Sequence, residues 1–186
     1  NQGGILSNGE YGEGWNGDNP IAYANDGGLN IEDRMAAILN FKLKYQPFSW
    51  LTAQINYAPK FNQPHNKVFH NIIQTYKSDL TPSFSVPSKN YLSESFSRDW
   101  YNNLNVTIMA DKTFSNTHQV TALLGFQQED YENNYITAYR EVFLLPEYQM
   151  IDSGNRLNEM TGGSGSHWAL RSVFGRLNYN YNQKYL

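Results

Sequence analysis

"SVFGRLNYNYNQKYL", residues 172–186, is the stretch on which the reading of the fold turns. Val173, Gly175, Leu177, Tyr179 and Tyr181 are apolar, aromatic or small. Arg176, Asn178, Asn180 and Asn182 between them are polar, with Phe174 the exception. Successive side chains of a strand point to opposite faces, so this spacing predicts a strand with one greasy and one wet face. "NQK" then reads as a tight polar turn, and Tyr185 and Leu186 as the start of another segment. A sequence that stops one step into its next hairpin is expected to be an internal piece of a longer chain.

The same alternation recurs upstream. In "AAILNFKLKY" (36–45), Ala37, Leu39, Phe41, Leu43 and Tyr45 share one face, and Asn40, Lys42 and Lys44 the other. "QPFS" turns the chain, with Pro47 fixing its φ angle. In "WLTAQINYA" (50–58), Leu51, Ala53, Ile55 and Tyr57 alternate with Thr52, Gln54 and Asn56, completing a hairpin. A second hairpin is expected from 100–111 and 119–130. Trp100, Leu104, Val106, Ile108 and Ala110 oppose Tyr101, Asn103, Asn105 and Thr107 on its first strand. Val120, Ala122, Leu124 and Phe126 oppose Thr121, Gln127 and Glu129 on its second. Asn102 interrupts the apolar face, while Met109, Leu123 and Gly125 fall on the polar one.

Between these hairpins lie long polar stretches, 59–97 and 131–168, read as loops, and residues 1–33 form a third such stretch. Connections therefore alternate between short and long. Loops beyond about 15 residues are uncommon in compact domains unless functional. Membrane β-barrels have short turns on one side and long loops on the other. Five strands of about 10 residues suit a tilted crossing of the apolar layer. Aromatics gather at the short turns: Tyr45, Phe48 and Trp50, then Phe114, then Tyr179, Tyr181 and Tyr185. Such girdles mark a membrane interface.

Composition agrees with this reading. The 186 residues include 14 Tyr, 10 Phe and no Cys. A mean hydropathy of -0.63 alongside 15% aromatics suits alternating strands and not disorder. Without cysteine, disulfides and thiolate metal sites are excluded. The net charge of -3 gives no reason to expect nucleic acid. No apolar run reaches the length of a membrane helix, which leaves strand spans open. Asn1–Asn8 has no signal-peptide character, so for an exported protein the true N-terminus is expected to lie upstream. Five or six strands cannot close a barrel, and an open edge in lipid leaves backbone groups unpaired.

Three motifs carry a family resemblance. "ALRSVFGRLNYNYNQKYL" (169–186) resembles a signature stretch of SusC-like TonB-dependent outer-membrane transporters of Bacteroidetes, through Ser172, Phe174, Gly175, Arg176, Asn178, Tyr179, Tyr181, Lys184, Tyr185 and Leu186. "KTFSNTHQVTALLGFQQE" (112–129) resembles a turn and strand of that family, through Thr113, Phe114, His118, Val120, Ala122, Leu123 and Gly125. "NPIAYAND" (19–26) resembles a segment upstream of a barrel strand. The resemblance implies an all-β chain, an antiparallel transmembrane segment of a single barrel domain of roughly 22 strands, with plug and remaining strands outside it. It implies import of oligosaccharides or peptides across the bacterial outer membrane. It also implies a SusD-like surface lipoprotein as lid, and energy from the TonB complex through an N-terminal part that is missing here.

No catalytic pattern competes. His65, His70, His118 and His167 show no metal-ligand spacing. "GGSGSH" (162–167) lacks the lysine of a phosphate loop. No Ser lies in a nucleophile elbow. Asp18, Asp26 and Asp33 do not match an EF-hand, leaving only a calcium site assembled from loop oxygens as an alternative. Neither cofactor nor metal is called for, and passage and binding without chemistry are expected.

The residues expected to line the lumen are Asn40, Lys42, Lys44, Gln54, Asn56, Asn103, Asn105, Arg176, Asn178 and Asn180. They form either a hydrated wall that packs on a plug or a sugar-compatible lining. Trp15, Tyr135 and Trp168 are expected in loops, where they stack on ligand rings, pack the loops together or touch a lid. Two rival readings are a soluble secreted β-sheet module that binds carbohydrate, and a barrel enzyme such as a lipase. The first needs a second sheet over its apolar face, and the second needs a nucleophile and base on one wall.

Overall fold

The computed structural model describes residues 3–182. After a looped N-terminal segment come the short helix α1 (Pro20–Asp26) and strands β1 (Gly28–Ile38), β2 (Phe41–Phe48), β3 (Leu51–Tyr57) and β4 (Lys60–His70). A small hairpin of β5 (Ile73–Tyr76) and β6 (Pro82–Val86) follows. Three long strands complete the chain: β7 (Tyr91–Phe114), β8 (His118–Phe143) and β9 (Gly154–Tyr181). The main sheet has seven strands. It runs β1-β4-β7-β3-β2, with β8 pairing both β7 and β9. The protein is all-β, in keeping with a segment of a β-barrel. Among the described residues, no helix is long and apolar enough to cross a membrane.

The chain divides into two compact units. The first comprises Asn1–Arg34, Pro64–Phe96 and Tyr135–Ser164. It holds a conventional core: Phe69, Leu92 and Phe143 are buried, with Leu29 and Ile151 against them. The Phe69 and Phe143 rings meet edge-on at 5.4 Å, the arrangement favoured by the ring quadrupole. Asn90 is buried and satisfied: its side chain donates to the Phe143 carbonyl at 2.9 Å and accepts from the Phe143 amide at 2.7 Å. Asn19 caps α1 by accepting from the Ile21 and Ala22 amides. Its amide donates to the carbonyls of Gly4 and Gly12, tying the N-terminal segment to the helix. Pro20 suits the first helical turn, where its missing N–H is not needed.

The second unit comprises Met35–Gln63, Ser97–Asn134 and Gly165–Leu186. Its antiparallel register aligns like with like. Leu43 pairs with Ile55 and Ile55 with Val106, while Tyr45 pairs with Ala53 and Ala53 with Ile108. Directly opposed residues share a face, so these rows make one apolar surface. That surface is exposed: Leu43 is 64% accessible, Tyr45 65% and Ile108 47%. Among the described residues, the buried hydrophobic side chains all belong to the first unit.

The alternating segments are all strands, but they extend well beyond the expected spans. The stretches 59–97 and 131–168, expected as loops, are largely strand: β4, β5, β6 and the start of β7 occupy the first, and β8 and β9 most of the second. The connection from β8 to β9 reduces to 144–153. The physical reason lies in segments such as "KFNQPHNKVFH" (60–70), which are largely polar on both sides and so give no period-two signal. The turn at 115–117 is as expected. Ser115 and Asn116 both have positive φ, 51° and 56°, as tight hairpin turns require. Pro47 lies inside β2 at an irregularity in the register, not in the turn itself. The "NQK" turn beyond Asn182, with Lys184, Tyr185 and Leu186, lies outside the described residues.

Candidate functional site

The polar rows of the second unit are aligned as closely as the apolar ones. Lys42 pairs with Asn56 and Asn56 with Asn105, while Lys44 pairs with Gln54 and Gln54 with Thr107. Asn103 shares this face of β7 and donates to Glu129 of β8 at 3.4 Å. On β9, Arg176, Asn178 and Asn180 alternate in step with Phe174. A side chain on Gly125 would run into the Phe174 ring, so that ring lies directly over the glycine. Two of the exceptions to alternation, Gly125 and Phe174, thus occupy the same place. Asn40 stands in the break between β1 and β2, where the Leu39 amide donates to the carbonyl of Pro59 at 3.0 Å. The Asn180 Oδ1 is buried without a hydrogen-bond partner. Asn180 lines a polar pocket of about 180 Å³ with Thr113, Thr117 and Gln119.

An aromatic cluster stands on this face. Trp168 stacks on Tyr131, with ring centroids 6.0 Å apart and planes 29° apart, and meets Tyr101 at 6.3 Å. The Lys60 ammonium sits 5.3 Å from the centroid of Tyr101. Below the rings, Asp99 accepts from the Tyr131 hydroxyl at 3.1 Å, from Asn62 at 2.8 Å and from Asn133. Gln127 donates to Glu129 at 2.6 Å. Strand parity explains the grouping: Asp99, Tyr101 and Asn103 share one side of β7, and Gln127, Glu129, Tyr131 and Asn133 one side of β8.

Trp168 therefore lies in a strand and not in a loop, as does Tyr135 in β8. Tyr135 and Trp15 belong to the first unit, and Trp15 is 90% exposed in the N-terminal turns. Of the three aromatics, only Trp168 joins the cluster. Tyr101, Tyr131, Asp99 and Lys60 were not among the expected site residues. Part of their signal was present in the odd-numbered spacing of Asp99, Tyr101 and Asn103 and of Glu129, Tyr131 and Asn133, but Gln128, Asp130 and Glu132 between the latter are polar too, so alternation does not mark that face.

The apolar face has its own polar fittings. Phe48 and Trp50 stack at 5.5 Å, and the Lys112 ammonium lies 5.0 Å from Trp50 and 5.4 Å from Phe114. His118 hydrogen-bonds the Tyr179 hydroxyl at 2.7 Å and packs on Tyr181 at 5.2 Å. Phe48, Trp50, Phe114, Tyr179 and Tyr181 are thus at the short turns as the sequence places them, and Tyr185 lies outside the described residues. Asn102, out of place by pattern, accepts from the Tyr57 hydroxyl and donates to Asp130.

Elsewhere His65 packs on Phe96, and His70 stacks on Tyr91. His65, Glu94, Phe96 and Ile136 line a largely apolar cavity of about 500 Å³ in the first unit. Asp26 accepts from Tyr11 at 2.6 Å, a hydrogen bond that raises the phenol's pKa above its ordinary value. Asp18 accepts from Asn16 at 2.8 Å. Among the described residues, no three His, Asp or Glu side chains gather into a metal site.

The fold matches solved structures. These are described as the RagAB peptide transporter, and as the RagAB peptide importer in its "closed-closed" and "open-open" states. Each superposes with a TM-score of 0.75 at 19% sequence identity over 87% of this chain. The chain spans 17% of the length of those solved chains. No family model and no curated protein matches the sequence. At that identity the likeness is one of fold.

Proposed function

We propose that this chain is part of the barrel wall of a SusC-like outer-membrane importer of large nutrients. Its apolar face would meet outer-membrane lipid, and its polar face would line the lumen. The observation that carries this reading is the inverted second unit, where aligned apolar rows are exposed and aligned polar rows form the other face. In lipid that arrangement leaves no apolar surface in water, whereas in water it exposes far more than a soluble monomer tolerates. The shared fold with RagAB chains supports the importer reading and favours peptide over oligosaccharide as cargo. The plug and the remaining strands would come from the rest of the transporter. A SusD-like lipoprotein would close over the cargo, and the TonB complex would supply energy. The chain would act by binding and passage, with no chemistry on the cargo.

The test is fractionation of cells making the whole natural protein, followed by uptake of labelled peptides and oligosaccharides. The expected result is an outer-membrane protein released only by detergent, with uptake lost when the proton gradient is collapsed. A monomer soluble in plain buffer would overturn the reading and support a secreted carbohydrate-binding module.

A further inference from the structure

The Tyr101–Tyr131–Trp168 cluster has a chemical bias that the import reading alone does not specify. Carboxylates only accept hydrogen bonds, so every amide that meets Asp99 or Glu129 must present its NH₂. Asn62 and Asn133 turn theirs to Asp99, and Asn103 and Gln127 turn theirs to Glu129. Asn103 and Asn133 each commit both N–H groups, Asn103 to Glu129 and the Tyr101 hydroxyl and Asn133 to Asp99 and Ser97 Oγ, so their carbonyl oxygens are what they have left to offer, while Asn62 and Gln127 each keep a second N–H. Asp99 and Glu129 bring carboxylates to the cluster, and Lys60 brings an ammonium. Trp168 remains 44% exposed while stacked on Tyr131. Indole is the strongest of the aromatic faces for a cation, and Lys60 already places one over Tyr101. A sugar hydroxyl both donates and accepts, and two of the four amides would offer it acceptors only. A guanidinium donates through five N–H groups, accepts none and stacks on aromatic rings.

We propose that this platform is a subsite for the cationic side chain, arginine above all, of a peptide moving along the polar face. The inference rests on the import reading and narrows its cargo to peptides with a basic residue. Roughly 40 Å of strand separates Tyr101 from the short turn at 115–117. With the tilt of a barrel strand, that places the platform near the far edge of the apolar layer. Cargo arriving from the side away from the short turns would meet it early.

The experiment uses the whole transporter in detergent and two labelled decapeptides of Gly, Ser and Ala that differ at one position, arginine in one and neutral citrulline in the other. Maltoheptaose serves as the oligosaccharide probe. The wild type is expected to bind the arginine peptide roughly five- to tenfold more tightly. Trp168→Ala and Glu129→Gln should each remove most of that preference without weakening the citrulline peptide. Trp168→Phe, which keeps an aromatic face and serves as a check on assembly, should retain part of it. Equal binding of the two peptides by the wild type would overturn the proposal, as would a preference that survives Trp168→Ala. Loss of maltoheptaose binding alone in Trp168→Ala would also overturn it, by making the platform a sugar site. A wild type that binds neither peptide nor maltoheptaose would instead bring down the import reading beneath it.

Discussion

The two units solve opposite problems. In the first, Phe69, Leu92 and Phe143 are withdrawn from solvent, and polar groups such as Asn19 and Asn90 are buried only with their hydrogen bonds satisfied. That is the arrangement water enforces, because an unpaired buried polar group costs more than it returns. In the second, Leu43, Ile55 and Ile108 face outward while Gln54 and Asn56 are partly covered. The amino acids differ little; what differs is the solvent each face is suited to. The first unit carries the features of a domain folded in water, and the second those expected of the barrel wall proposed above.

The sharpest way to break this comparison is to delete a core ring. Phe143→Ala should cost about 3–5 kcal/mol of stability, because it removes both apolar burial and the partner of Phe69. Denaturant titration of the purified protein would read this. A loss below about 1 kcal/mol would mean that the first unit has no real core.

Next in size is a charge on the exposed apolar face. Ile55→Lys should impair assembly by about 2–4 kcal/mol in a bilayer, and Asn56→Lys, one residue away, should be tolerated. Folding yields in lipid vesicles would compare them. Equal effects would sink the assignment of lipid and lumen faces.

A smaller effect is expected at the glycine beneath Phe174. Gly125→Ala should cost about 1–3 kcal/mol as the ring is pushed aside, and pairing it with Phe174→Leu should recover part of that. Additive losses in the double variant would show that ring and glycine do not share one site.

The smallest effect concerns pH, in a turn of the first unit. Asp79 accepts from the Thr81 hydroxyl at 2.6 Å and the Thr81 amide at 3.0 Å, and these bonds lower its pKa from 3.8. A depressed carboxylate contributes its stabilisation above the unfolded value, and that contribution is lost as pH falls through the lowered one. Exchange of the Thr81 amide should quicken only at the acid end of a pH 5 to 2 series. Quickening already above pH 5 would assign the protection to something other than Asp79.

Much of this was legible in the residues, for a definite reason. Where a strand separates two environments, its side chains must alternate, and the rows Leu43–Ile55–Val106 and Lys42–Asn56–Asn105 can be found by counting in twos. Where both sides of a strand are polar, as in 60–70 and much of 131–168, counting returns nothing, and strands there passed for loops. The candidate site divides in the same way. Asn103 and Asn105 could be placed on a face from the sequence. The meeting of Tyr101, Tyr131 and Trp168 could not, because it depends on register between strands far apart in the chain.

The residues by themselves determined which segments are strands with two unlike faces, and that one face of each is unsuited to water. Alternation is a local property, set by the pleat of a single strand. Only the tertiary structure decided how far the strands run, that Phe174 fills the space above Gly125, and that Tyr131 stacks on Trp168 while its hydroxyl reaches Asp99. Those outcomes depend on which strands pair and in what register, and pairing is settled by packing between distant parts of the chain.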